Sequence, residues 1–124
     1  MSEHETAVRV ETDSDFSPEF SQLMRNRMRT SYHKYGKWSK NRPYVDCLKN
    51  VQRRWEEYLK TGNTEFLIDA ANFCMMEWLL PSHANAHFRA TTSDEAPAIQ
   101  CKEDGEYGIS HLKNEPKKSK GKKR

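Results

Sequence analysis

Apolar positions recur at helical spacing in three successive stretches of the chain, and no stretch alternates with a sustained period of two. In the first, Phe20, Met24, Met28, Ser31 and Tyr35 follow one another at intervals of three or four, with Leu23 and Tyr32 beside them. Arg25, Arg29 and Lys34 take the opposite face. Ser17 suits the N-cap, Pro18 the first helical position and Glu19 the first turn, and Gly36 can end the helix in a left-handed conformation. The pattern predicts a helix over 18–35.

The second stretch places Tyr44, Leu48, Val51, Trp55, Tyr58 and Leu59 on one face, with Pro43 to start it and Gly62 to end it. The third runs from Thr64 to Leu80, capped by Asn63 and stopped by Pro81. The spacer between the last two is so short that they must form an antiparallel αα-hairpin. The expected fold class is all-α: a small three-helix antiparallel bundle over residues 17–82. Residues 1–16 are expected to be a disordered acidic tail, 83–112 an irregular arm, and 113–124 a disordered basic tail. Within the arm only His87–Ala90 and Tyr107–Ile109 offer anchoring side chains.

The third helix is apolar round nearly all its circumference, which is the pattern of a helix buried on every side. A domain this small cannot surround one helix alone, so the pattern predicts a homodimer.

Composition narrows the picture. Of 124 residues, 35% are apolar and 31% charged, and the mean hydropathy is −1.06, so part of the chain is expected to stay unpacked. The longest apolar run, Phe66 to Leu80, is interrupted by Asp69, Asn72 and Glu77 and does not suit a membrane span. Met1–Glu5 lacks the basic and apolar regions of a secretory signal. Three widely spaced cysteines make no disulfide framework, which points to a reducing, cytoplasmic setting. The net charge is +3, but residues 117–124 hold six basic groups, and subtracting these leaves −3 for the rest. The tail is either a solvated end or a source of weak, salt-sensitive contact with nucleic acid.

Candidate chemistry lies on the third helix, where Glu65, Asp69 and Asn72 share a stripe within an otherwise apolar surface. Oxygen donors of this kind suit Mg²⁺, and Glu56 on the second helix can approach Glu65 and Asp69 across the hairpin. Arg53, Arg54, Lys34, Lys37 and Lys40 are available to meet phosphates nearby. The same residues also fit a purely structural role. Glu65 lies in a first turn, where a carboxylate is favoured anyway, Asp69 can pair with Arg53 or Arg54, and Asn72 can bond between helices. The five glycines are isolated, so phosphate-cradling glycine loops are excluded, and no G-x-S-x-G occurs. His83 and His87 have i, i+4 spacing but follow a helix-ending proline with no cysteine near, which argues against a zinc pair.

Tyr32–Gly36, the basic Arg53–Arg54 helix and Thr64-Glu65-Phe66-Leu67-Ile68-Asp69-Ala70-Ala71-Asn72-Phe73 resemble the small MazG-like all-α proteins, nearest to the nucleotide-modification-associated ones of phage. The resemblance spans residues 20–80. It implies a Mg²⁺-dependent pyrophosphohydrolase of (d)NTPs, with Glu56, Glu65 and Asp69 holding the metal and carrying the catalysis. Lys34, Lys37 or Arg53 would then bind phosphates, Trp38 or Tyr35 would stack on the base, and Asn72 would line the substrate site. Two departures stand against it: Lys60 replaces the third acid of the earlier helix, and the later acids are spaced i, i+4 where i, i+3 is usual. The alternative is a catalytically inactive interaction protein that binds a protein or a nucleic acid.

Overall fold

The computed structural model describes residues 2–102, the side chains of residues 11 and 12 excepted, so the expectations for Tyr107–Ile109 and for the tail 113–124 lie outside the described residues. Among the described residues the chain is helical and contains no strand. The elements are α1 (Glu3–Asp13), α2 (Pro18–Tyr35), α3 (Trp38–Asn41), a 3-10 turn (Arg42–Tyr44), α4 (Cys47–Thr61) and α5 (Glu65–Leu79). The chain divides into two units, Met1–Ala86 and His87–Arg124.

Helix α2 begins as its caps dictate: the Ser17 hydroxyl accepts from Phe20 N–H at 3.0 Å, and Pro18 opens the first turn. It ends at Gly36, whose φ of 81° requires glycine although its ψ of −164° is not that of the expected left-handed helical cap. Helix α4 starts four residues later than Pro43 suggests. Arg42–Tyr44 close a 3-10 turn instead, and Asp46 caps α4 by accepting from Lys49 N–H at 2.9 Å. Gly62, at φ 73° and ψ 7°, ends α4 in the left-handed conformation and turns the chain directly into α5. The cap position of α5 is Thr64, one residue after the expected Asn63, and makes no side-chain cap bond; the Asn63 side chain accepts from Glu65 N–H at 3.0 Å.

Residues 3–13 are helical, where the sequence pattern suggested an unstructured tail. Ser2 and Glu5 form a reciprocal capping box, each side chain accepting from the other's N–H at 3.1 Å, with Glu3 and Glu5 in the first turn. Among the described residues α1 packs on no other helix, so this local chemistry is what defines it.

Helix α5 is the centre of the larger unit, with α4 packed closely along it and α2 crossing it more lightly. Its inward edge is Ile68, Asn72 and Met76, and these together with Cys47 are the buried residues among those described. Burial raises the Cys47 thiol pKa above its ordinary value. Near the end of α5, Arg42 ties three segments together. It donates to Leu80 O at 2.9 Å, to Val45 O at 2.7 Å and to Glu77 Oε1 at 2.8 Å. Glu77 Oε2 in turn accepts from the Ser82 N–H and hydroxyl at 2.7 and 2.8 Å.

Residues 87–102 contain no helix. Their local order is a turn in which Arg89 grips Glu95 with two bonds of 3.2 and 2.8 Å and Thr92 N–H reaches Glu95 Oε1 at 2.9 Å.

The Ser82 bonds, with Arg42 adding to them, hold the Glu77 carboxyl pKa below the usual range. A carboxyl whose pKa is lowered by folding stabilises the fold above its unfolded pKa, and that contribution fades as the pH falls through the folded one. Glu77→Gln should therefore melt below the wild type at neutral pH, with the difference closing on acidification past the ordinary glutamate pKa of about 4.3. Arg42→Ala should cost about 2–3 kcal/mol in denaturant unfolding, since it strips charged hydrogen bonds from three partners.

Candidate functional site

The acidic stripe of α5 meets a cation that the sequence pattern assigned no role, Arg27 on α2. Its Nε donates to Asp69 Oδ1 at 2.9 Å and its Nη1 lies 3.2 Å from Glu65 Oε2. From the other side, Arg54 of α4 approaches Asp69 Oδ2 at 3.7 Å, donates to Asn50 Oδ1 at 2.7 Å, and stacks over Phe73 with 5.0 Å to the ring centroid. Asp69, with a side chain only 12% exposed, is thus held between two guanidinium groups from two different helices. One helical turn on, the Asn72 amide donates to Met24 O at 3.1 Å, while its buried Oδ1 has no partner.

These groups line a cleft of about 160 Å³ that also takes in Lys34. A neighbouring pocket of about 510 Å³, lined by Tyr35, Trp38, Tyr44 and Phe73 among others, shares Ser31, Tyr35, Phe73 and Met76 with the cleft. Of the residues singled out by sequence, Asp69, Asn72, Lys34, Tyr35 and Arg54 come together in the cleft. Glu65, half-exposed on Arg27, lines instead a separate pocket of about 690 Å³ between the start of α5 and α2. Trp38 belongs to the aromatic pocket, and with Lys37 it lines a separate groove beside α2.

Glu56 and Arg53 are not in this group. Both are exposed on α4, and neither has an ion pair among the described residues. The reason is the facing of α4. Cys47, Val51, Arg54 and Tyr58 turn inward, whereas Leu48, Trp55 and Leu59, expected to face the core, are 55, 56 and 68% exposed. Glu57 is partly buried and lies 3.5 Å from Lys60.

Among the described residues no group of three His, Cys, Asp or Glu is placed to hold a metal ion. The donor set does not suit Mg²⁺ as it is arranged, because Arg27 occupies one oxygen each of Glu65 and Asp69 and Arg54 faces the second oxygen of Asp69. His83 Nδ1 accepts from Asn85 N–H at 2.9 Å, a local turn contact. The missed partner, Arg27, carried a readable signal. It stands between Met24, Met28 and Ser31 on the inward side of α2, where a cation needs carboxylates opposite.

No family model matches this chain, and neither does any curated protein or solved structure.

The clamp has a measurable consequence. Asp69→Asn leaves Arg54 without its acid and Arg27 with Glu65 alone, and should cost about 1–3 kcal/mol. A double-mutant cycle of Asp69→Asn with Arg27→Ala should return a coupling energy on the order of 1 kcal/mol by chemical denaturation.

Proposed function

We propose that this protein is an α-helical interaction module that works as a homodimer, its copies joined through the outer face of the α4–α5 hairpin. The observation that carries this reading is the exposure of large apolar side chains on that face. On α4, Leu48, Trp55 and Leu59 lie about 100° round from the inward residues, on the side away from Arg54 and Asn50. On α5, Cys74 and Trp78 stand opposite the Ile68–Asn72–Met76 edge, and Trp78 is 67% exposed. Both sets therefore point away from α2 and form one continuous surface.

Each buried tryptophan removes on the order of 150–250 Å² from water. The two here, with Leu48 and Leu59 beside them, make an exposed apolar patch of the kind that marks an interaction surface. Two such faces meeting about a twofold axis bury α5 on both sides, which is what its composition requires.

A second reading, Mg²⁺-dependent hydrolysis of (d)NTPs, draws support from one feature. Glu65 and Asp69 share an edge of α5 beside Lys34, Arg27 and Arg54. It requires Arg27 to release both carboxylates.

The two readings separate cleanly by experiment. Light scattering after size exclusion should give twice the chain mass for wild type and the chain mass for Trp55→Glu/Leu59→Glu, with helicity kept; a monomeric wild type refutes the first reading. Pyrophosphate release from a panel of NTPs and dNTPs should be nil, and millimolar Mg²⁺ should leave the melting temperature unchanged. Release by wild type but not by Asp69→Asn would establish the second.

A further inference from the structure

Charge is distributed unevenly along the larger unit. Residues 18–44 hold seven Lys and Arg against the single acid Glu19. Two of the seven, Arg27 and Arg42, face acids of α5. The other five, Arg25, Arg29, Lys34, Lys37 and Lys40, are exposed, and among the described residues none lies within ion-pair distance of a carboxylate.

Arg25, Arg29, Tyr32 and His33 lie within about 100° of arc on the side of α2 turned away from α5. Two aromatic residues that the helical spacing assigned to the core are outside it: Tyr32 is 59% and Tyr35 70% exposed. Where α2 ends, a groove of about 370 Å³ opens between Tyr32 and Trp38, with Arg29, His33 and Lys37 along its walls. The Tyr32 and His33 rings sit 6.0 Å apart at 44°, so they do not stack face to face on each other.

We propose that this face of α2, continued through Lys37 and Trp38, binds single-stranded nucleic acid. Arg25 and Arg29 follow one another along the helix by about 6 Å and, with Lys37, offer a line of guanidinium and ammonium groups to a phosphate backbone. Tyr32 and Trp38 flank the groove into which an unstacked base fits, and stacking on such rings tolerates any base sequence. A protein ligand of acidic sequence would use the cations but would leave the aromatic groove without a role. A duplex keeps its bases stacked on each other and cannot use the groove at all. The site is separate from the α4–α5 face, so it stands or falls independently of the dimer.

The test is fluorescence anisotropy of the full-length protein with a labelled oligo(dT), an oligo(rU) and a duplex of equal length, each titrated over a range of salt. Wild type should bind both single strands more tightly than the duplex. Arg25→Ala/Arg29→Ala should flatten the slope of log affinity against log salt by about 1.4, two contacts at about 0.7 each on a single strand. Lys49→Ala/Arg53→Ala removes the same charge from exposed positions on α4 and should leave the slope unchanged. Tyr32→Ala should weaken binding about tenfold with the slope retained, because it removes stacking and no charge. Equal losses in the two arginine and lysine pairs would overturn the proposal, since binding would then follow net charge or the basic C-terminal residues. A duplex bound as tightly as the single strands, an unaffected Tyr32→Ala, or no binding by wild type would each overturn it as well.

Discussion

Helix α5 presents apolar side chains round most of its circumference, yet among the described residues α4 and α2 are the helices that cover it. Most of what distinguishes the structure follows from that imbalance. The inward edge is filled by Ile68, Asn72 and Met76, a thin interior for a chain of this length. The polar groups that interrupt the apolar surface sit where α2 and α4 can reach them, so their neutralisation and the docking of those helices are one event. Without Arg27 and Arg54, docking would bury Asp69 against its solvation; with them, the same burial fixes the position of α2. Part of the surplus apolar surface lies on the α4–α5 hairpin, where Leu48, Trp55, Leu59 and Trp78 are exposed.

The two basic clasps share a logic. Arg27 and Arg42 both come from the cation-rich stretch that includes α2 and the following turn, and both anchor it to acids of α5, one near each end of that helix. The acids of α5 thus hold the basic segment in place by its inner side. Lys34 lines the Asp69 cleft, while Arg25 and Arg29 are left on the outer side, away from the carboxylates that would neutralise them.

Much of this was legible in the residues. The limits of α2 follow from Ser17, Pro18 and Gly36, whose caps act locally, and the α4–α5 hairpin follows from Gly62 and Asn63 for the same reason. The all-helical class follows from the spacing of apolar side chains. The facing of α4 was not legible. Two overlapping stripes are available on that helix, one through Leu48 and Trp55 and one through Val51 and Tyr58. Spacing ranks the bulkier first, but the choice is made by Arg54, which must reach Asp69. The ion pair of Asp69 was foreseeable in kind, while its main partner, Arg27, lay forty-two residues away on a helix where the apolar spacing assigned that cation no role. Helix α1 was hidden because a capping box of two side chains leaves no trace in hydrophobic periodicity.

The turn at Gly62 is so tight that it acts as an angular reference for the whole unit. Gly62 adopts a positive φ, its N–H bonds to Tyr58 O at 2.8 Å, and only Asn63 and Thr64 separate it from the first residue of α5. Inserting a single residue there would rotate α5 by about 100° against α4. Asp69 would swing out of reach of the arginines, Trp78 would move off the outer face, and an uncharged part of the helix would replace the acids opposite α2. The length of this loop, more than the identity of any one side chain in it, is therefore the quantity under constraint. Length variants belong in residues 83–102, which contain no helix whose phase depends on the one before it.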